Sequence, residues 1–431
     1  MLRNHFYRIR FLIIGLSLIC YANTGFAQTI HTSGSTIIGV CGDTITLRGI
    51  DYAPFDWGYD STQLYLNQIA KTGANVVRMP WYDTSSAPYY TYPLLDTAIN
   101  HCIQNKMIPV IVLMDITCDN DYHALLTLAQ WYTTPQVTQI INKYKSSLII
   151  DIANEAGYVT WDNDPTTALQ TYKNTYDSIT HLLRNANITI PIMIDAPDCG
   201  TNINVFDSVA TNIVSSDPLH NVLFSAHAYW YAYANNDSAT MLGLLQNAKA
   251  ANYPLVLGEI ANYQDGNTAC EYALNYTSLL HICQNLNIGW LAWSWNNDVC
   301  ASRQLSNDGS FTNLSSYGND IVNNSDYGLS STAKLTEYLY NNQNGCATTG
   351  IETMPLQSSL CFIYYENGIA YLRSQSNVVL QIQIMDIMGR CVEETTLNPG
   401  MNLLLAHENT IGLFLVRATS NNKTWSSKFI N

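Results

Sequence analysis

The sequence predicts an α/β protein in which a (β/α)8 barrel is followed by a small C-terminal β-sandwich. Between residues 44 and 320, eight short apolar runs alternate with helical stretches. Apolar strands that alternate with helices are typical of a parallel sheet covered by helices, and eight is the number of strands that closes a barrel. After about residue 345 the helical period gives way to strand alternation, as in LQIQI at 380–384, which predicts a β-sandwich.

The barrel strands are predicted from apolar runs that end in polar or aromatic residues. In chain order they are TITLRGIDY (44–52), NVVRMPW (75–81), IPVIVLMD (108–115), SLIIDIANE (147–155), IPIMIDAP (190–197), NVLFSAHAY (221–229), PLVLGEI (254–260) and IGWLAWSW (288–295). The clearest helix covers 166–184, where Asp164 and Pro165 supply an N-cap and a proline at the first helical position. A doubly wound open sheet is the alternative fold, but no G-x-G-x-x-G follows any of these runs.

The two ends of the chain predict its domain organisation. Arginines precede an apolar run at 11–20 that is too short to cross a bilayer, and small residues follow near position 27. We therefore expect a signal peptide over 1–27 and a mature chain that is secreted or attached to the cell surface, with no transmembrane segment. The barrel domain is predicted over 28–340, with a small hairpin at 28–43 below the barrel. A polar linker over 341–350 leads to the β-sandwich over 351–431.

Composition and cysteine spacing limit the partners of the protein. The formal net charge is −14, only 12% of residues are charged, and tyrosines number 29. An acidic protein is repelled by nucleic acid and anionic lipid, so we expect a neutral partner such as a sugar and no nucleic acid. No C-x-x-C or H-x-x-x-H pair occurs, so neither a metal site nor a cofactor is expected. Cys118, Cys199 and Cys300 are the better disulfide candidates, whereas Cys102 and Cys283 are expected to be buried thiols.

Two glutamates are predicted at the carboxyl ends of barrel strands, where active sites of this fold are built. Glu155 ends the fourth run and Glu259 lies in the seventh. Cleavage of a glycosidic bond needs one carboxylic acid that protonates the leaving oxygen and one carboxylate that attacks the anomeric carbon. A structural ion pair is the alternative for either glutamate alone. The two together predict a glycoside hydrolase in which Glu155 is buried enough to keep its proton near neutral pH.

Four polar residues at neighbouring strand ends are predicted to support this pair. Arg78 would lie beside Glu259 and favour its charged form, unless it pairs with another acid of the barrel interior. Tyr229 could donate a hydrogen bond to the same carboxylate or serve in packing. His227 could orient the sugar or the acid, or be an ordinary core histidine. Asn154 is placed to bind the sugar 2-hydroxyl.

Six tryptophans follow the predicted strand ends and could form platforms for pyranose rings. They are Trp57, Trp81, Trp161, Trp230, Trp293 and Trp295. Some of the six are expected to serve only in packing.

The motifs NVVRMPW, DIANE, HAY, LVLGEI and GWLAWSW, in this order, resemble those of glycoside hydrolase family 5, over roughly residues 28–325. The resemblance implies a retaining enzyme with Glu155 as acid/base and Glu259 as nucleophile. It also implies that Trp293 is the platform under the sugar at the cleavage point, and that the supporting polar residues are Arg78, Asn154, His227 and Tyr229. Within the family, the chain looks most like bacterial endo-β-1,4-mannanases. The alternatives are a β-1,4-glucanase (cellulase) and an inactive sugar-binding barrel.

The chain departs from the family pattern at positions that line sugar subsites. Met114 stands where the third strand of the family ends in histidine, and Asp51 and Tyr52 replace an Asn-His type pair. Ala156 and Gly157 replace an aromatic residue that follows the acid/base in mannanases. These departures leave both glutamates in place and weaken the assignment of the substrate.

The C-terminal region, about 351–431, is similar to the sorting domain of the type IX (Por) secretion system. The similarity rests on IQIMDIMGRCVEE, GLFLVRA and the terminal SSKFIN. It implies that the outer-membrane secretion machinery is a partner of the chain. The alternative is a carbohydrate-binding β-sandwich that uses the aromatic cluster of Phe362, Tyr364 and Tyr365.

Overall fold

Eight parallel strands close into a barrel in the computed structural model of the chain. The structure describes residues 29–54, 64–83, 90–346, 361–366, 369–374, 376–386, 390–405, 413–420 and 423–430. Residues 1–27 of the predicted signal peptide, Trp57 and residues 347–350 of the predicted linker lie outside these residues.

The barrel is preceded by three short strands, β1 (His31–Ser33), β2 (Thr36–Ile38) and β3 (Thr44–Ile45). The barrel strands are β4 (Arg48–Asp51), β5 (Val76–Trp81), β6 (Ile108–Leu113), β7 (Ile149–Asp151), β8 (Ile192–Asp195), β9 (Val222–His227), β10 (Leu255–Ile260) and β13 (Gly289–Ala292). Strands β11 (Tyr263–Gln264) and β12 (Tyr272–Ala273) form a small hairpin between β10 and β13. The barrel strands pair in chain order, and β13 closes the ring by pairing with both β10 and β4. The predicted (β/α)8 barrel is confirmed.

Helices connect the strands on the outside of the barrel. They are α1 (Leu64–Ala70), α2 (Tyr92–Gln104), α3 (Tyr122–Ala129), α4 (Pro135–Tyr144), α5 (Pro165–Asn185), α6 (Asn204–Ser216), α7 (Ser238–Ala251), α8 (Tyr276–Leu286), α9 (Ser316–Asn323), α10 (Leu329–Thr332) and α11 (Glu337–Tyr340). Short 3-10 turns cover Gln130–Thr133, Ala301–Arg303 and Phe311–Asn313. The predicted start of α5 is confirmed, because the Asp164 side chain accepts the N–H of Thr167 and Pro165 is its first residue. No helix among the described residues is both long and apolar enough to cross a membrane.

Burial explains why the strands read as continuous apolar runs. Every residue of β5, β6, β9 and β10 is buried, because one face of each strand packs inside the barrel and the other packs against the helices. Polar side chains interrupt these runs near the carboxyl ends of the strands. Asp51, Arg78, Asp151, Asp195, His227 and Glu259 are all buried there. A buried charge is stable only with a partner, so these residues define one site.

The N-terminal strands form an antiparallel sheet at the opposite end of the barrel. The Thr32 backbone N–H donates to the Asn221 side chain, and the Asn221 amide donates to the carbonyl of Ile30. Asn221 directly precedes β9, so the sheet covers the amino ends of the strands. A disulfide joins Cys41, which follows β2, to Cys346 beyond α11.

The C-terminal strands form two antiparallel sheets. The strands are β14 (Cys361–Glu366), β15 (Ile369–Ser374), β16 (Leu380–Asp386), β17 (Cys391–Leu397), β18 (Asn402–Leu404), β19 (Leu413–Ser420) and β20 (Lys423–Ile430). One sheet has the order β14-β15-β18 and the other β17-β16-β19-β20. Side chains of both sheets, such as Leu372, Ile382 and Val416, belong to one apolar core. This arrangement agrees with the predicted β-sandwich.

Candidate active site

The two glutamates lie at the carboxyl end of the barrel. Glu155 follows β7, and Glu259 lies within β10 in register with His227 of β9. Glu155 is 9% exposed and Glu259 is 4% exposed. A carboxylate oxygen of each and a ring nitrogen of His227 all lie within 4.8 Å of one another. The barrel therefore brings the two acids to the same small volume.

Arg78 lies at the centre of the polar cluster and is fully buried. Its guanidinium donates to Asp151 at 2.9 Å, Glu259 at 2.9 Å, Asn154 at 2.8 Å, Asp195 at 3.0 Å and Asp51 at 3.4 Å. Burial works against the charge of Arg78, but the surrounding carboxylates outweigh it and raise the pKa of the guanidinium well above its ordinary value. Burial raises the pKa of Asp51 and of Asp151 well above the ordinary range.

Both oxygens of Glu259 are held by donors. Arg78 Nη1 donates to Oε1 at 2.9 Å, and the Tyr229 hydroxyl donates to Oε2 at 2.8 Å. Burial raises the pKa of Tyr229 well above its ordinary value, so the phenol keeps the proton that it donates. The carboxylate is thus fixed in one orientation, as a positioned nucleophile requires.

Glu155 has a different environment. His227 Nδ1 lies 2.7 Å from Glu155 Oε1. Burial raises the pKa of Glu155 above its ordinary value, and this effect exceeds the opposing effect of the hydrogen bond from His227. A carboxyl group that keeps its proton to higher pH can serve as a general acid.

Asp195 at the end of β8 connects the surroundings of the two glutamates. Its Oδ2 accepts the backbone N–H of Glu155 at 3.1 Å and the guanidinium of Arg78 at 3.0 Å, and lies 3.3 Å from Nε2 of His227. Burial opposes ionisation of Asp195, but the charges of His227 and Arg78 outweigh it and lower the pKa of this carboxyl. Burial also disfavours the charged form of His227. The charges of Glu259 and Asp195 outweigh this effect and raise the pKa of His227 well above its ordinary value. Asp195 was not among the functional residues predicted from the sequence, although it has the same strand-end position from which the glutamates were predicted.

A cleft of about 660 Å³ opens above the glutamates. Asn154, Glu155, Tyr229, Glu259, Trp161 and Trp293 are among the residues that line it, together with Met114. Trp161 is 56% exposed, and its ring contacts that of Tyr158 at 5.4 Å between centroids. The Trp293 indole N–H donates to Asp298, which fixes the ring at the wall of the cleft. The cleft therefore offers polar groups and two indole rings to a ligand.

Three of the tryptophans that the sequence predicted as sugar platforms are fully buried, and for them the prediction is wrong. The Trp81 ring packs edge-on against Tyr90, with the centroids 5.1 Å apart. The indole N–H groups of Trp230 and Trp295 donate to the carbonyls of Thr201 and Gly309, which come from the covering loops. No ring face of these three is open to a sugar. Trp57, the sixth of the set, lies among residues that the structure does not describe.

Glu155, His227 and Glu259 also have the spacing of metal ligands, because their ligand atoms lie within 4.8 Å of one another. The Arg78 guanidinium, however, already contacts Oε1 of Glu259. A metal ion at this point would stand next to a buried positive charge. The cluster is therefore better suited to acid–base and nucleophilic chemistry than to metal binding.

A (β/α)8 barrel with two facing carboxyl groups at the carboxyl ends of its fourth and seventh strands is the architecture of a barrel glycoside hydrolase. The family described as Cellulase (glycosyl hydrolase family 5) matches residues 39–299. The chain belongs to this family and is a glycoside hydrolase.

Individual relatives agree with the family assignment. The chain is 28% identical over 318 residues to a mannan endo-1,4-beta-mannosidase of Salipaludibacillus agaradhaerens. The matched region covers 73% of this chain and 97% of the relative. The chain is 26% identical over 333 residues to a protein of the same name from Cellvibrio japonicus, and that match covers 76% of this chain and 74% of the relative. The catalytic domain of a mannanase from Streptomyces sp. SirexAA-E has a similar fold, with a TM-score of 0.62 and 24% identity over 77% of this chain and 99% of that domain.

Proposed function

We propose that the protein is an exported, retaining endo-β-1,4-mannanase that hydrolyses mannan-type polysaccharides. The observation that carries the mechanism is the separation of the two acids, with a carboxylate oxygen of Glu155 within 4.8 Å of one of Glu259. Retaining enzymes hold their carboxyl groups about 5–5.5 Å apart, whereas inverting enzymes separate them by about 6.5–9.5 Å to admit a water molecule. The short separation supports double displacement.

In the first step, Glu259 attacks the anomeric carbon while Glu155 gives its proton to the glycosidic oxygen. The sugar becomes covalently linked to Glu259, and the other part of the polymer leaves as an alcohol. In the second step, Glu155, now ionised, takes a proton from water, which attacks the same carbon and releases Glu259. The contacts of Glu259 with Arg78 and Tyr229 support its role as nucleophile, and the raised pKa of Glu155 supports its role as acid.

The assignment to mannan is supported by the names of the relatives from Salipaludibacillus agaradhaerens and Cellvibrio japonicus. An endo-acting enzyme needs a cleft that is open at both ends and binds several sugars, and the exposed Trp161 and the wall residue Trp293 are suited to stack on sugars there. Asn154, whose side-chain oxygen accepts from Arg78, is proposed to bind the 2-hydroxyl of the sugar at the cleavage point.

The ends of the chain support a proposal about export. Residues 1–27 would be a signal peptide and 28–340 the catalytic domain. A linker over 341–350 would carry the C-terminal β-sandwich over 351–431, which we propose to be a type IX sorting domain recognised by the outer-membrane secretion machinery. The mature enzyme would then be secreted or held at the cell surface. Expression with and without residues 351–431 in a bacterium that has this secretion system, followed by fractionation, tests the proposal.

The substrate is tested by measuring reducing ends released from mannan, glucomannan, galactomannan, carboxymethylcellulose and mixed-linkage glucan. We expect the mannans to be hydrolysed at least about tenfold faster than the glucans. A site that hydrogen-bonds one sugar hydroxyl disfavours a sugar that cannot make this bond by more than about 1.4 kcal/mol, which corresponds to a factor of ten. A preference for carboxymethylcellulose would instead identify a β-1,4-glucanase. No reducing ends from any polymer would identify an inactive sugar-binding barrel.

The roles of the two glutamates are tested with azide and a dinitrophenyl β-mannobioside. Glu259→Ala should have no measurable turnover, and azide should restore it with an α-glycosyl azide as product, because azide replaces the missing nucleophile. Glu155→Ala should react with azide to give the β-glycosyl azide through the intact intermediate. The opposite pair of products would mean that the two roles are exchanged.

A further inference from the structure

A disulfide lies at the wall of the cleft, against the carboxyl group that serves as acid/base. It joins Cys118 to Cys199, and both residues line the cleft. The Cys118 Sγ atom is 3.2 Å from Glu155 Oε2. A sulfur atom in a disulfide carries no hydrogen, so it offers no donor to this oxygen.

The same disulfide joins the loops on both sides of the segment that carries Glu155. Cys118 follows β6, Cys199 follows β8, and Glu155 follows β7 between them. Hydrogen bonds connect the three loops further, since the Tyr158 hydroxyl donates to the carbonyl of Cys118 at 2.7 Å and the Asp198 N–H donates to the carbonyl of Gly157 at 2.9 Å. The disulfide therefore completes a covalent and hydrogen-bonded enclosure around Glu155.

The backbone within this enclosure is held in an unusual conformation. Cys118, Glu155, Asp198 and Cys199 have φ angles of 54°, 53°, 58° and 52°. Non-glycine residues rarely adopt this left-handed region, and they do so where the surroundings over-determine the conformation. Loss of the cross-link would release one of the constraints that hold the acid/base in its present orientation.

The other groups that face Glu155 leave one oxygen for the sulfur. His227 contacts Oε1 at 2.7 Å, and Asp195 accepts the backbone N–H. Glu259 and Tyr229 are further ionisable groups that interact electrostatically with Glu155. Oε2 lies beside the sulfur, and because His227 contacts the other oxygen of this cleft-lining residue, Oε2 is the oxygen that would carry the proton to the substrate.

We propose that the Cys118–Cys199 disulfide is a positioning group for the acid/base and makes the activity of the site depend on its oxidation state. The proposal rests on the assignment of Glu155 as the proton donor. A dithiol reductant would supply two electrons and two protons, cleaving the S–S bond to two thiols and becoming a cyclic disulfide itself. The Cys118 thiol could then donate a hydrogen bond to Oε2, which favours the ionised carboxylate and withdraws the catalytic proton at lower pH.

The pH dependence of kcat/KM, measured with and without a dithiol, tests this proposal. Reduction should move the basic limb of the wild-type profile to lower pH by about one unit, the effect of one hydrogen bond to a charged group. Re-oxidation should restore the limb, and alkylation with mass spectrometry should confirm that Cys118 and Cys199 had been reduced. The variant Cys118→Ser/Cys199→Ser, whose hydroxyls can donate, should have a lowered limb without reductant.

Two further variants locate the effect. Cys118→Ala/Cys199→Ala should give the same profile with and without dithiol, whereas Cys270→Ala/Cys300→Ala, which lacks a different disulfide, should keep the reductant-dependent shift. An unmoved limb in reduced wild type, with reduction of Cys118 and Cys199 confirmed by alkylating a separate sample, would overturn the proposal, and so would an equal reductant-dependent shift in the double alanine variant. Failure of the oxidised enzyme to hydrolyse any polysaccharide would instead count against the proposed function.

Discussion

One carboxylate oxygen of Asp195 accepts the backbone N–H of Glu155 at a distance of 3.1 Å. Glu155 has a positive φ of 53°, so the bond supports a conformation that a glutamate rarely adopts. The same oxygen contacts Arg78, the partner of Glu259. Asp195 therefore positions Glu155, the proposed proton donor, and, through the guanidinium, Glu259, the proposed nucleophile.

Replacing Asp195 with asparagine should lower kcat about 10²-fold with little change in KM, because an amide keeps the shape of the side chain but loses its charge, and small displacements of reacting groups have effects of this size. Asp217→Asn is a matched control. Asp217 is also fully buried and pairs with Arg184 at 2.9 Å, but it precedes β9 and so lies at the other end of the barrel. The control should lose stability and keep kcat. Equal losses of kcat in both variants would show that Asp195 is merely structural.

Arg78→Lys should lower kcat/KM about 10³-fold, because a single ammonium group cannot reproduce the fork that reaches Glu259, Asp151 and Asp195. Incomplete pairing of buried carboxylates should also lower the free energy of unfolding by about 3–5 kcal/mol. Steady-state kinetics and urea unfolding measure the two effects. Arg48→Lys, at a buried arginine near the opposite mouth, should affect unfolding and leave kcat/KM nearly unchanged.

The pH dependence follows from the raised pKa of Glu155. The protonated form is the proposed catalytic acid. It is present below the pKa of the folded state and is lost as pH rises through that value. The basic limb of kcat/KM should therefore lie above the ordinary pKa of glutamate. The hydrogen bond from His227 opposes this shift, so His227→Phe, which keeps a ring without a donor, should move the limb to still higher pH and lower kcat. A limb that moves to lower pH in this variant would contradict the assignment.

Trp161 and Trp230 were both predicted as sugar platforms, but their substitution should have different effects. Trp161 is 56% exposed at the cleft, so Trp161→Ala should raise KM for mannan about tenfold and leave the melting temperature nearly unchanged. Trp230 is fully buried, so Trp230→Ala should lower the free energy of unfolding by about 3–5 kcal/mol. Calorimetry and kinetics on the two variants check both expectations. A large loss of stability in Trp161→Ala would mean that its ring serves in packing.

Periodicity in the sequence was sufficient to predict the barrel, because fully buried strands such as Ile108–Leu113 and Leu255–Ile260 have no solvent-facing positions to interrupt the apolar run. The strand-end rule then identified Glu155 and Glu259. Both predictions rest on features that recur regularly along the chain, namely the apolar strands and their carboxyl ends. A single sequence is therefore enough to make them.

The roles of the tryptophans and of Asp195 depend on contacts that follow no regular pattern along the chain. Trp293 and Trp295 are two residues apart, yet Trp293 lines the cleft while Trp295 is covered where the carbonyl of Gly309 accepts its indole N–H. The conformation of that loop decides the difference, and no local pattern predicts it. The role of Asp195 likewise arises only because groups from three other loops and strands lie close to one of its oxygens.

The stereochemistry of the first product tests the central claim most directly. Glu155 and Glu259 carry oxygens within 4.8 Å of each other. This is shorter than the separation of about 6.5–9.5 Å with which inverting enzymes admit a water molecule. Proton NMR during rapid hydrolysis of a mannooligosaccharide should show the β-anomer of the new reducing end first, with the α-anomer appearing only through mutarotation. Initial formation of the α-anomer would mean direct attack by water and would contradict double displacement at this pair of acids.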